Sequence, residues 1–273
     1  MSVSGYPIEL EDREYLNSLQ GESPVLAMRG TYQEVRLDAR QILTVENQGP
    51  VGSCAGHSLS SILEWIYAIA TGGERVQLSR AMAYFETQRQ FDGIRSDQGS
   101  TIGGGVKLAK KGICRESLWI YPGKYDNRRP SDWSAIEKDA ENYKISTEIR
   151  MTSYEGVRTF LGAGLGGVHS GWNWNETMEK PVVETFQPRS RDGGHSEAVI
   201  CLSTRVDSQG RPYVFVLGSW GTGFANKGWQ EFSPTAVEQM LRHPNTAMVG
   251  LSDMPNIAPR KFNIDDWRSA LRA

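Results

Sequence analysis

Cys54, His195 and Gln48 are the side chains whose types and positions could carry a covalent reaction. Cys54 stands where a helix is expected to begin, just after the turn Gly49-Pro50-Val51-Gly52. Unsatisfied backbone N–H groups and the helix dipole at such an end favour the thiolate, which is the nucleophilic form. A cysteine at a helix start is more often a small buried core residue, so position alone does not decide. Gln48 could aim its side-chain amide at the same spot and, with the Cys54 backbone N–H, form an oxyanion hole for an attacked carbonyl. Taken alone it reads as a solvated turn residue. His195 is one of four histidines and opens a strand after Gly193-Gly194. An imidazole there could exchange a proton with the sulfur, provided a third group fixes the ring from behind.

The elements that must position these groups are legible in the hydrophobic period. After Ser53, a plausible N-cap, Leu59, Ile62, Leu63, Ile66, Tyr67 and Ala70 recur at helical spacing, and Gly72-Gly73 ends the run. Further helices are expected over Ser79 to Arg89 and over Gly103 to Lys111. The second half changes period. Pro181 to Phe186, Glu197 to Leu202 and Tyr213 to Leu217 read as strands, the last two joined as an antiparallel hairpin through Asp207-Ser208-Gln209-Gly210. That hairpin returns the chain to Gly218 and Ser219 beside the start of the His195 strand. Helices first and strands second predict an α+β fold of two packed subdomains with a cleft between them.

The motifs on these elements resemble those of the papain family of cysteine peptidases. NQGPVGSCAGHS is similar to that family's NQGxCGSCWAFS, and GSWGTGFANKGWQEF to its NSWGxxWGxxGYxxI segment. Between them, LSRAMAYFETQRQFDG and DQGSTIGGGVKLAKKGICRESLWIYP resemble bacterial and phage-type relatives in order and spacing, so the likeness runs from about Val45 to Phe232. The resemblance implies a papain-like fold, helical over about 41–140 and antiparallel β-rich over about 141–250, preceded by an arm (1–40) and followed by an extension (251–273). It implies Cys54 as nucleophile, His195 as general base and Gln48 as oxyanion donor. Gly99, Gly194 and Trp220 fall at positions that line the groove or shield the histidine. The family's orienting Asn aligns with Gly218, which offers no side-chain acceptor; a backbone carbonyl or a water could substitute, and turnover could be weakened. Val51 replaces a cysteine the family uses in a disulfide, and Ala55 replaces its tryptophan. His57, three residues after Cys54, is expected to pack in the helix interface rather than join the site.

The remaining candidates point elsewhere. Cys114 and Cys201 read as core cysteines, and Gly103-Gly104-Gly105 lacks the Lys-Ser or Lys-Thr of a phosphate loop. Trp172 and Trp174 are expected to rim the cleft or to join the core. A net charge of −2 favours neither nucleic acid nor an anionic membrane as partner, and no apolar run is long enough to cross a bilayer. The first residues do not read as a secretory signal, and three cysteines in no metal-binding spacing suggest a reducing compartment. No residue cluster argues for a metal or an organic cofactor. The expected partner is a peptide or protein substrate, with the two terminal segments free to engage an assembly. Three functions follow: a thiol peptidase of the cytoplasm; a weakly active or inactive structural component, for example of a phage particle; and a cell-wall peptide hydrolase.

Overall fold

A computed structural model describes residues 5–22, 37–189 and 192–257. Its α-helices are α1 (Arg13–Ser18), α2 (Ala39–Ile42), α3 (Cys54–Thr71), α4 (Arg80–Thr87), α5 (Ile102–Ala109), α6 (Trp133–Ala140), α7 (Tyr154–Gly162) and α8 (Pro234–Arg242). The strands are β1 (Thr147–Arg150), β2 (Gly166–Trp174), β3 (Val182–Val183), β4 (Gly193–Val206), β5 (Pro212–Leu217), β6 (Trp229–Phe232) and β7 (Ala247–Ser252).

The helix starts follow side-chain chemistry. Ser79 accepts from Met82 N–H and Thr101 from Gly104 N–H, so α4 and α5 are capped by their own sequences. Ser53 sits at the N-cap of α3 but does not cap it. Its hydroxyl instead meets the Tyr121 hydroxyl at 2.6 Å and His57 Nδ1 at 3.3 Å. The N–H groups of the first turn of α3 therefore have no Ser53 side-chain acceptor. Gly72, with φ of 74°, closes the helix in the left-handed conformation.

The strands form one seven-stranded sheet in the order β1-β7-β2-β4-β5-β6-β3. All strand pairings are antiparallel except β3 with β6, in keeping with an antiparallel β-rich half. β3 also shrinks to two residues, Val182–Val183. Alternation along β4 divides the core. Ala198 and Ile200 face a cluster with Leu59, Ile62 and Ile66 of α3, while Val199 faces one with Val157 and Phe160 of α7 and Val237 and Met240 of α8. The helical half thus docks on one face of the sheet, and the Cys54 end of α3 lies against β4. No helix among the described residues is long and apolar enough to cross a membrane.

Residues 5–22 lie along the body of the protein. Tyr6 is fully buried. Glu11 accepts from Ile102 N–H and Gly103 N–H, both at 2.8 Å, so its carboxylate sits on the first turn of α5. Glu22 does the same at α7, accepting from Thr152 N–H at 2.7 Å and Ser153 N–H at 3.1 Å. The expectation of an arm over the surface therefore needs revision for these residues. Residues 258–273 of the extension lie outside the described residues.

Candidate active site

Two elements converge on one point. Cys54 is the first residue of α3, and His195 is the third of β4; both are buried. Burial alone would make the imidazole a weaker base. The neighbouring Cys54 sulfur and the Glu197 carboxylate overcome that and raise its pKa to about 9. Both neighbours thus favour the protonated ring. Trp220 stacks on it, with ring centroids 4.2 Å apart and planes 19° from parallel. Trp174 meets it edge-on at 4.7 Å. Phe224 packs on Trp220 at 4.8 Å and completes an aromatic wall. The wall excludes water and strengthens the electrostatics inside it.

Gln48 is buried and held on three sides. Its backbone N–H donates to Ser219 C=O at 2.7 Å, its Oε1 accepts from the Ser219 hydroxyl at 2.5 Å, and its Nε2 donates to Val51 C=O at 2.7 Å. A primary amide has two N–H groups, so one is left for another acceptor. Ser219, adjacent to Gly218, thereby links the Gln48 turn to the loop beyond the hairpin.

The glycines expected to line the groove meet a stretch of main chain that the protein itself supplies. Gly5 lies so close to Cys54 that a Cβ on it would stand 2.5 Å from Cys54 Sγ. Its carbonyl accepts from Ser100 N–H at 3.2 Å, and Tyr6 N–H donates to Gly194 C=O at 3.3 Å. A Cβ at Gly194 would overlap the Tyr6 carbonyl, and one at Gly99 would press on Gly5. The Tyr6 ring runs past Gly171 and Ile102.

The other candidates sort by their surroundings. His57 stays with its own helix, Nδ1 lying 3.1 Å from Ser53 C=O and its ring edge-on to Tyr121. Burial lowers its pKa to about 3, so it is neutral and packs as expected. Trp172 is buried against Phe232 in the core, while Trp174 is the one that reaches the histidine. Burial pushes the Cys114 and Cys201 thiols up to about 12, which suits unreactive packing residues.

Glu197 was not singled out by the sequence reading. Its Oε1 lies 3.6 Å from His195 Nε2, and the residue is buried. The available signal was its spacing: residues 195 and 197 are two apart in a strand and share a face. A Cβ at Gly218 would stand 3.1 Å from Glu197 Oε1, so the missing side chain at 218 and the carboxylate at 197 compete for one space.

No protein-family model matches the chain, and no curated protein matches it in sequence. Solved structures do. Xylellain, a cysteine protease from Xylella fastidiosa, superposes with a TM-score of 0.68 at 21% identity, over 92% of this chain and 96% of that one. The bromelain protease from Ananas comosus, solved with the E64 inhibitor, gives 0.59 at 15% identity, over 79% and 97%. Digestive procathepsin L 3 of Tenebrio molitor gives 0.62 at 16%, over 88% and 77%. The chain has the papain-like fold, an α+β arrangement shared with these cysteine proteases.

Proposed function

We propose that the protein is a cysteine-type peptidase whose nucleophile is Cys54. The observation that carries the reading is the peptide already in the groove: Gly5 and Tyr6 bond by main chain to Ser100 and Gly194, beside a buried Cys54–His195 pair. A groove that satisfies a backbone amide on one wall and a backbone carbonyl on the other recognises polypeptide whatever its side chains.

In the reaction, the Cys54 sulfur adds to the carbonyl carbon of the scissile bond. The carbonyl oxygen becomes an oxyanion, met by the Cys54 backbone N–H and the remaining N–H of Gln48. Protonated His195 gives its proton to the leaving nitrogen, the C–N bond breaks and a thioester remains. A water, deprotonated by His195, then attacks the thioester, releasing the carboxylic acid and restoring the sulfur.

The resident segment escapes this chemistry for a geometric reason. The carbonyl of Gly5, the residue packed against the sulfur, is held by Ser100 N–H. Turnover of another peptide requires residues 5–8 to lift out. An epoxide probe specific for reactive thiols tests the reading: it should label Cys54 in the folded protein and fail on Cys54→Ala. Folded protein that stays unlabelled even with the segment loosened removes the peptidase reading.

The occupied groove and Gly218 favour a second reading, a papain-fold scaffold without turnover, serving in an assembly such as a phage particle. Recovery of the protein in fixed ratio within a larger particle, with no thiol labelling, supports it. Hydrolysis of cell-wall peptides uses the same chemistry, and peptidoglycan zymography beside a protein substrate separates the two. Action in the cytoplasm fits a site that needs a free thiol.

A further inference from the structure

We infer that Glu197 is the positioning residue of this site, its carboxylate taking the place behind His195 that Gly218 leaves open.

The placement follows from the strand. His195 and Glu197 are two residues apart on β4, so their side chains rise from one face, about 7 Å apart at the backbone. The Glu197 side chain bends back until Oε1 is 3.6 Å from His195 Nε2. With Nε2 facing Glu197, Nδ1 is the ring nitrogen left for the Cys54 proton. Neither Glu197 oxygen finds a hydrogen-bond donor among the described residues. A buried carboxylate without donors is costly: burial raises the pKa of Glu197, and the group that acts against this and favours its charged form is the His195 imidazole. Nothing in the core packing calls for an acid at this position; the imidazolium does.

Gly218 completes the argument. A side chain there would crowd both Glu197 Oε1, at 3.1 Å, and the Phe224 ring, at 3.0 Å. Glycine at 218 and glutamate at 197 are therefore one solution to a single volume. The acceptor has moved from the strand across the hairpin to the histidine's own strand. It has also gained a charge. A neutral amide only orients an imidazole, whereas a carboxylate also holds its proton. The titratable groups facing the ring are Cys54 from α3 and Glu197 from β4 itself; Trp174 from β2 and Trp220 and Phe224 from the loop after β5 contribute only aromatic surface.

The catalytic consequence rests on the peptidase reading, so the decisive measurement is one that needs no turnover. In the full chain with labelled histidines, NMR follows the His195 ring through pH, its signal assigned by loss in His195→Gln. Glu197→Gln, nearly identical in shape, should lower the midpoint by at least one unit, a tenfold loss of proton affinity. Glu197→Asp, which keeps the charge, should recover part of that shift. Gly218→Ala leaves Glu197 in the sequence but pushes its carboxylate aside, and should also lower the midpoint. An unchanged midpoint in folded Glu197→Gln, or in folded Gly218→Ala should the first variant not fold, overturns the assignment. In the same samples, epoxide labelling of Cys54 reports on the peptidase reading separately. Labelling with no midpoint shift sinks Glu197 alone; a midpoint shift with no labelling, even when the segment over Cys54 is loosened by Tyr6→Ala, sinks turnover alone.

Discussion

Replacing Tyr6 with alanine should unlock the groove. Tyr6 has no exposed surface and joins the main hydrophobic cluster, while Glu11, which interacts with it, is itself bonded to two N–H groups on the first turn of α5. Truncating a fully buried aromatic side chain costs about 3–5 kcal/mol. Because residues 5–8 can lift away while Glu11 stays bound, most of that loss falls on the local closed state rather than on the whole fold. Taking ~3 kcal/mol, and a factor of ten for each ~1.4 kcal/mol, the open population rises roughly a hundredfold. An epoxide probe in limiting amount reads this directly, since labelling of a transiently exposed sulfur tracks the open fraction. The Tyr6→Ala rate constant should exceed that of the parent by about two orders of magnitude, with thermal unfolding recorded alongside to exclude global loss of structure. A rate within twofold of the parent, in folded protein, would refute the idea that Tyr6 latches the segment over Cys54.

Other outcomes follow from the buried charges. Arg80 and Glu64 form a buried ion pair, and Glu64 also accepts from Leu78 N–H at 2.8 Å. Glu64→Ala, which strands the guanidinium, should cost about 3–5 kcal/mol in urea unfolding, whereas Glu64→Leu with Arg80→Met should cost much less; equal losses would contradict this. His195 has a folded pKa of about 9, above the usual histidine value, so its contribution to stability is complete below about pH 6.5 and is lost as pH rises through 9. Unfolding free energy should fall across that window by up to ~3 kcal/mol, and His195→Gln should flatten the slope. His57 and His169, lowered by burial to about 3, act in the opposite direction: their contribution is present above about pH 6.5 and disappears as pH falls toward 3. Acid unfolding monitored in His57→Gln and His169→Gln should show a shallower dependence below pH 6.5; an unaltered profile in both would place the acid sensitivity elsewhere.

The sequence by itself determined the parts of this protein that local physics controls. The period of Leu59, Ile62, Leu63 and Ile66 placed α3, and Asp207 to Gly210 set the β4–β5 hairpin, whose pairing carries His195 toward Gly218. Each is a matter of spacing along the chain, and spacing is what a sequence displays. Tertiary structure decided the rest. Tyr6 lies in a polar stretch with no period, so nothing in its neighbours announced that a distant groove between Gly99 and Gly194 would bury it. Ser53 reads as a helix cap, yet Tyr121, far along the chain, takes its hydroxyl. Glu197 stands two residues from His195 in plain view, but a glutamate in a strand normally points to water. Only the packing of Trp174, Trp220 and Phe224 around it, and the vacant volume at Gly218, turn that carboxylate onto the imidazole. A charge is assigned its partner by what surrounds it in three dimensions, and that surrounding is contributed by segments the local sequence does not contain.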